Sequence, residues 1–465
     1  MGVRKRFRDF RDRCPEPPDL LPTKLKRYSI PIAAVLTATL ILSVSFFVFS
    51  SSIMSHPSLP IVPLVNVPSP TSSDWPMFHA NPAHSGAGTG NPVLTSTLLW
   101  NYTTSGEVDS SPAVVNGIVF VGSDDGNFYA LKATNGEKLW NYSTGFQVDS
   151  SPAVVDGVVY IGDVFGNVYA LNATNGNRLW SYPTGAGIDS CPAVVNGVVY
   201  IGSGDDIYAL NATNGIKLWR AQPSEAFDSS PAVVNGVVYI GSDDFGPFAY
   251  LTFVGVYAFN ATNGAELWNY AAIGNSVYSS PAVVDGVVYV GSDDDNIYAL
   301  NATDGARLWN YSTSGYVDSS PAFVGGIVYV GSEDGNIYAL NATNDNKLWN
   351  YTTSGGRSSP AVASGVLYVG SDNGNVYSLN ATSGAKLWNY TTGSEVDSSP
   401  AVVNGVVYVG SDNGNVYAFG TPSTSSNNLY IILGVVAAVV IVTAVVFLIF
   451  RKRLKTKPKS PRPSP

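Results

Sequence analysis

The dipeptide Leu-Trp returns, in all but one interval, every 39 to 41 residues, with its tryptophan at Trp100, Trp140, Trp180, Trp219, Trp268, Trp309, Trp349 and Trp388. A chain that repeats at this period makes one supersecondary unit many times and buries its core by stacking the copies, so residues 95–420 read as a single repetitive unit. Between tryptophans the same signals recur: residues 398–420 run SSPAVV, a turn, VVYVGS, a polar loop and NVYAF, with the alternation of half-buried strands. Two-residue hairpins need left-handed residues at their tips. The first turn of each repeat supplies them, as Asn116-Gly117, Asp156-Gly157, Asn196-Gly197, Asn235-Gly236, Asp285-Gly286, Gly325-Gly326 and Asn404-Gly405, with Ser364-Gly365 the one departure. A second hairpin precedes each tryptophan, as at Asn175-Gly176 and Asp304-Gly305.

Each repeat is therefore a four-stranded meander, A to D, and the period is that of a propeller blade. Eight A-B-C units begin at Ser111, Ser151, Cys191, Ser230, Ser280, Ser320, Ser359 and Ser399. The first D strand, near Leu99–Thr103, precedes them all, and the last unit ends near Phe419 with no D strand after it. The expected fold is an all-β, eight-bladed propeller over 74–420, closed by pairing 97–104 with 398–420, which removes the free edges of the ring.

The segment ALNATNGNRLW at 170–180, with Ala170, Gly176 and Trp180, resembles the tryptophan docking motif of the PQQ-like (quinoprotein dehydrogenase-like, BamB-like) repeat family. The resemblance implies that all eight tryptophans dock one blade on the next. Asp74–Gly88 is similar to the lead-in found ahead of such propellers. It also implies two classes of function: a non-catalytic scaffold, like the barrel-assembly propeller lipoprotein of outer membranes, or an oxidoreductase of alcohols or sugars using PQQ and Ca²⁺. The residues favour the scaffold. The adjacent cysteine pair typical of the alcohol dehydrogenases is here a lone Cys191, Cys14 being far away, and no Cys-x-x-Cys-His haem site is present. All three histidines, His56, His79 and His84, precede the blades, so none offers a base or ligand within the repeats. No catalytic, cofactor-binding or metal residue is expected, PQQ and Ca²⁺ being the alternative.

Charge is sharply partitioned. Residues 1–29 carry nine Lys/Arg and four Asp/Glu, and 451–465 carry seven Lys/Arg and no acid, which leaves nine basic against thirty acidic residues between them. That region would repel a nucleic-acid backbone. Apolar stretches within 30–50 and 429–450 are long enough to span a bilayer, and the basic tails 1–29 and 451–465 suggest cytoplasmic termini with the propeller outside the cell. The first reads as an uncleaved anchor, a cleaved signal sequence being the alternative. Linkers of 51–73, rich in Pro and Ser, and 421–428 join these segments to the propeller.

In such a meander the A-B and C-D turns share one face and the B-C and D-A loops the other, more variable one. Its D-A loops place Asp109, Asp149, Asp189, Asp228, Asp318 and Asp397 before the Ser-Pro signature, with Tyr278 and Arg357 as the exceptions. Its B-C loops offer Asp124, Asp125, Asp293, Asp294 and Asp295 without the EF-hand spacing or its distal Glu, a pattern that polar turns suffice to explain, with Ca²⁺ the alternative. One B-C loop is longer and carries Phe245, Phe248, Tyr250 and Phe253. With Asp163, Phe165, Tyr278 and Arg357 these make the candidate ligand face, for a protein or carbohydrate partner. Asn-x-Ser/Thr sequons lie at the C-D turns (Asn172, Asn211, Asn260, Asn301, Asn341, Asn380) and after the tryptophans (Asn101, Asn141, Asn310, Asn350, Asn389), readable as glycosylation sites or as Asn serving the turn in place of Asp.

Overall fold

The computed structural model describes residues 74–420 apart from 89–90, 224–225, 244–253 and 272–275. They form β1 (Ala87–Gly88), β2 (Leu98–Thr103) and then three or four strands per blade: β3–β6 over 113–143, β7–β10 over 153–183, β11–β14 over 193–221, β15–β18 over 232–270, β19–β22 over 282–312, β23–β26 over 322–352, β27–β30 over 361–391 and β31–β33 over 401–420. Eight sheets result, each an antiparallel four-stranded blade, with β1 added to the seventh. The eighth blade is shared between the ends of the ring: β2 pairs with β33, Trp100 opposite Ala418 and Thr103 opposite Asn415. The inner strands β3, β7, β11, β15, β19, β23, β27 and β31 each meet the next, and β31 returns to β3.

Three devices hold blade to blade. Each indole donates to a carbonyl of the next blade's C-D turn, Trp180 to Ala212 at 2.9 Å and Trp219 to Ala261 at 2.9 Å. The tyrosine of the B strand joins it on the same oxygen, as Tyr160 does on Ala212 at 3.1 Å. The last blade has no C-D turn to offer Trp388, and Val93 takes its place, accepting from the indole at 2.8 Å.

A belt of side chains closes around the axis. The backbone N–H of Ser111 donates to Ser151 Oγ, Ser151 to Cys191 Sγ, Cys191 to Ser230, Ser230 to Ser280, Ser280 to Ser320, Ser320 to Ser359, Ser359 to Ser399, and Ser399 back to Ser111. These groups are buried, where an unmet N–H would cost about 1–3 kcal/mol, so a hydroxyl or thiol at each position is needed to complete the circle.

The lead-in supplies the third device by lying against the inner strands. Trp75 exchanges two backbone bonds with Val114, and the carbonyls of Pro76, Pro82, Ala83, Ser85 and Gly86 accept from Val154, Val233, Val283, Phe323 and Val362. Met77 packs with Val194 of the third blade, and β1 pairs in parallel with β27. His79, Ala80 and His84 take left-handed backbone angles, which lets so short a segment curl around the axis.

One part of the expected fold is corrected. Among the described residues no helix is long and apolar enough to cross a membrane, and the one helical turn, Phe78–Ala80, has three residues where a bilayer span needs about 20. The segments 30–50 and 429–450 expected as transmembrane helices, with their linkers and tails, lie outside the described residues. The described architecture is the propeller, and the cell-surface placement with cytoplasmic termini, which rested on those spans, is withdrawn.

Candidate binding face

The belt divides the ring into two unlike ends. Toward the A-B turns the axis is taken by the lead-in. Toward the D-A and B-C loops it opens into an acidic mouth, because each D-A loop leans on the following B-C loop: Asp124 N–H donates to Glu107 O at 3.0 Å and Asp412 N–H to Glu395 O at 3.1 Å. The B-C position beside the D-A aspartates is Asp124, Asp243, Asp293, Glu333, Asp372 and Asp412 in six blades, and Val164 and Gly204 in the second and third.

Two trios, Glu107/Asp109/Asp124 and Glu395/Asp397/Asp412, occupy equivalent places in the first and eighth blades, each with carboxylate oxygens within 4.8 Å of one another. Such oxygens are hard donors of the kind that could hold a divalent cation. Like charges at this spacing, partly out of water, cannot all ionise together. Burial first, and then the Asp318 charge, push Asp293 up to about 9. Burial and the charges of Asp109, Asp397, Glu107 and Glu395 push Asp412 to about 8. Asp397 rises to about 7 through burial and Asp109, opposed by Arg357. The mouth therefore holds protons at neutral pH.

The two D-A exceptions both sit in this field. Arg357 Nε lies 3.3 Å from Asp318 Oδ2, so it is tied to the D-A loop of the preceding blade. Tyr278 is 39% exposed, and burial of its hydroxyl end beside Asp243 raises its pKa. Asp163 does not face a ligand: it is fully buried and accepts from the N–H of Phe165 and Asn167 and from the Tyr169 hydroxyl. Phe165 is the opposite case, 66% exposed and stacked on Phe146 with centroids 4.3 Å apart and planes 7° from parallel. Phe245, Phe248, Tyr250 and Phe253 lie outside the described residues.

The second acids of the B-C loops are absorbed by the turn. Asp125 accepts from Asn127 N–H at 2.9 Å and Tyr129 hydroxyl at 2.6 Å, Asp294 accepts from Asn296 N–H at 3.1 Å, and Asp295 holds the left-handed position. Asp124 and Asp293 are the members turned to the mouth.

The sequons also divide. At the C-D turns Asn172 Oδ1 caps Thr174 N–H at 2.9 Å, a bond repeated at Asn211, Asn260, Asn301, Asn341 and Asn380. On the D strands it is Nδ2, the atom a glycan would join, that is engaged. Asn101, Asn141, Asn310, Asn350 and Asn389 donate it to Asn415, Asn127, Asn296, Asn336 and Asn375.

Reading the sequence alone misses Phe146, which becomes notable only when the ring brings it to Phe165, and the docking role of Val93. An aromatic residue in a D-A loop was the available signal for the first. Val93 has none, because it lies in an irregular segment.

The family model described as outer membrane protein assembly factor BamB matches residues 93–244, 203–360 and 353–425. The chain belongs to this family. Among solved structures, the BamB of Moraxella catarrhalis is similar at 19% identity and a TM-score of 0.59, covering 70% of this chain and 98% of its own. Quinohemoprotein alcohol dehydrogenase from Comamonas testosteroni is similar at 17% identity and 0.65, covering 76% and 81%. The computationally designed Ika8 protein is similar at 19% and 0.60, covering 70% and 99%. A search of curated proteins finds no match. A BamB-family ring is thus a shape shared by an assembly factor, a dehydrogenase and a design, and these likenesses show the fold alone.

Proposed function

We propose that this BamB-family ring is a non-catalytic binding module that receives a protein partner on its D-A and B-C face. The observation that carries the reading is the lead-in, which bonds the inner strands of six blades and takes up one end of the axis. The open end remains, and its surface is built for contact: exposed aromatic residues, Phe146 at 41%, Phe165 at 66% and Tyr316 at 53%, beside a ring of carboxylates. Aromatic anchors set among polar groups are the usual makings of a protein interface.

The mouth does not fit a quinone cofactor such as PQQ, which carries three carboxylates of its own. Burial and Asp109 already raise the pKa of Asp397 there, burial with Asp109 and Asp397 raises that of Asp412, and Arg357 is ion-paired with Asp318. Cys191, the candidate thiol, is a buried link of the belt between Ser151 and Ser230. Titrating the full chain with PQQ and Ca²⁺, while following quinone absorbance and dye-linked oxidation of alcohols and sugars, tests the reading. No saturable binding and no turnover are expected; stoichiometric binding with turnover would overturn it.

A further inference from the structure

Phe146 and Phe165 come from different loops, a D-A loop and the following B-C loop, and each is fixed from behind. Thr144 Oγ1 donates to Phe146 O at 2.6 Å and accepts its N–H at 3.2 Å. Phe165 N–H is held at 3.1 Å by the buried Asp163 carboxylate, and Val164 N–H donates to Gln147 O at 3.1 Å, locking one loop to the other. The two rings therefore form a rigid platform that stays exposed, with little ordering cost left for a ligand to meet.

The platform runs directly into negative charge. Gln147, next to Phe146, donates Nε2 to Asp124 Oδ2 at 2.7 Å. Asp124 also shares a hydrogen bond with Asp149, and burial first and then the charge of Asp109 raise its carboxyl above the ordinary range. A flat cation laid on the aromatic face satisfies both halves: the ring quadrupole attracts it, and the carboxylates receive its N–H groups. A guanidinium does this better than an ammonium, being planar, weakly hydrated and able to bond two oxygens at once.

We infer that the Phe146–Phe165 platform and the adjoining Asp124 and Asp149 carboxylates form a docking site for an arginine-bearing extended segment of a protein partner. The inference rests on the binding-module reading above and names the chemistry of its partner. The choice of a cation follows from charge complementarity, since sugar hydroxyls would donate to the carboxylates but leave their negative charge uncompensated.

The test titrates the full chain with a fluorescent peptide of alternating Arg and Gly, its Lys counterpart, its Asp counterpart and maltohexaose, at low and at physiological salt. The Arg peptide should bind best, the Lys peptide more weakly, and the other two not at all. Phe165→Ala should weaken the Arg peptide about two- to fivefold, as loss of an exposed cation–π anchor would. Asp124→Asn should flatten its salt dependence. Phe165→Ala should leave the thermal midpoint unchanged, because the ring is mostly exposed. Arg-peptide binding that ignores Phe165→Ala and Asp124→Asn would overturn this site while leaving the module reading intact. Binding of maltohexaose alone, or of no probe, would overturn the choice of partner, and quinone turnover in the separate titration would overturn both.

Discussion

A matched pair of glycine substitutions isolates what indole docking contributes. Gly117 and Gly136 share a left-handed backbone, at φ +75° and +72°, yet their surroundings differ. A Cβ on Gly117 would meet nothing within 4 Å, whereas one on Gly136 would lie 2.6 Å from Cε3 of Trp100 and 2.9 Å from Cδ2. Gly117→Ala then carries only the left-handed penalty, about 1–2 kcal/mol. Gly136→Ala carries the same penalty and must also move an indole that is anchored on Ala133 at 2.9 Å, for a further ~1–3 kcal/mol of overpacking. The ring already contains a variant of this position. Asp345 occupies the matching place under Trp309, its turn has backed off to φ +54°, and the indole still bonds Ala342 at 2.9 Å. Asp345→Gly should therefore stabilise, by about 1 kcal/mol from the backbone alone. Chemical denaturation followed by far-UV circular dichroism gives the order Asp345→Gly, wild type, Gly117→Ala, Gly136→Ala from most to least stable. Equal losses for the two alanine variants would refute the claim that the glycine is there to admit the indole.

Three further outcomes follow from the belt, the mouth and the lead-in. Cys191→Ser should be as stable as wild type or better, since an oxygen accepts from Ser151 N–H more strongly than sulfur does at 3.3 Å, while Cys191→Ala leaves that buried N–H unmet and should lose ~1–3 kcal/mol in urea titrations; an Ala variant of wild-type stability would count against the belt. Asp397, Asp412 and Asp293, raised to about 7, 8 and 9, bind protons more tightly folded than unfolded, so stability should fall as pH rises from 6.5 to 8.5, and Asp397→Asn should flatten that slope. Below pH 6.5 the gain should level off, because buried His79 and His84, lowered to about 4 and 3, stay neutral in the fold while their unfolded counterparts take protons; a melting midpoint higher at pH 8.5 than at 6.5 contradicts this account. Deleting residues 74–88 removes seven backbone bonds to the inner strands, each worth about 1 kcal/mol, together with the β1–β27 pairing, and should lower the midpoint strongly, with a synthetic 74–88 peptide restoring it in trans; an unchanged midpoint would show that the ring does not lean on its lead-in.

The eight-bladed ring was legible because its signals are local and repeated: a tryptophan period, left-handed tips such as Asn116 and Gly117, and alternating strands. Other features were hidden for physical reasons. The leucine of each Leu-Trp pair looks like core, yet Leu139, Leu179, Leu267 and Leu308 are 45%, 51%, 50% and 52% exposed. A bulge between that leucine's neighbours, as between Arg178 and Trp180, turns it outward. The path of 74–88 was hidden because an irregular segment has no period to read. The candidate face was legible in part, since Phe165, Tyr278 and Arg357 announced themselves by breaking a repeat. Asp163 broke the repeat too, but as a longer-reaching stand-in for the serine its neighbours carry, bonding the turn from within. The membrane helices were a reading of hydropathy alone, and the described residues contain none.

The breaks in the eightfold pattern fall into two kinds. Where a position contacts the next blade, an exception is met by a local adjustment. Cys191 still accepts in the belt, Val93 supplies the carbonyl a missing turn would have offered, and the turn at Asp345 shifts to keep Trp309 docked. Contact with an unchanging neighbour forces this, since an unhealed defect would open the ring at that seam. On the D-A and B-C face the exceptions are not healed in this way. Val164 and Gly204 interrupt the carboxylates of the B-C loops, Phe165 projects beside the first interruption, and Arg357 enters a ring of acids. Arg357 pairs with Asp318 of the preceding blade and Gly204 spares a Cβ that would lie 2.6 Å from Ala186, whereas Val164 and Phe165 act through the surface they present. The second and third blades, where the B-C acids lapse and the aromatic platform begins, are the part of this face whose chemistry differs most from its own repeats, and that is where a partner would find a unique orientation on an otherwise uniform ring.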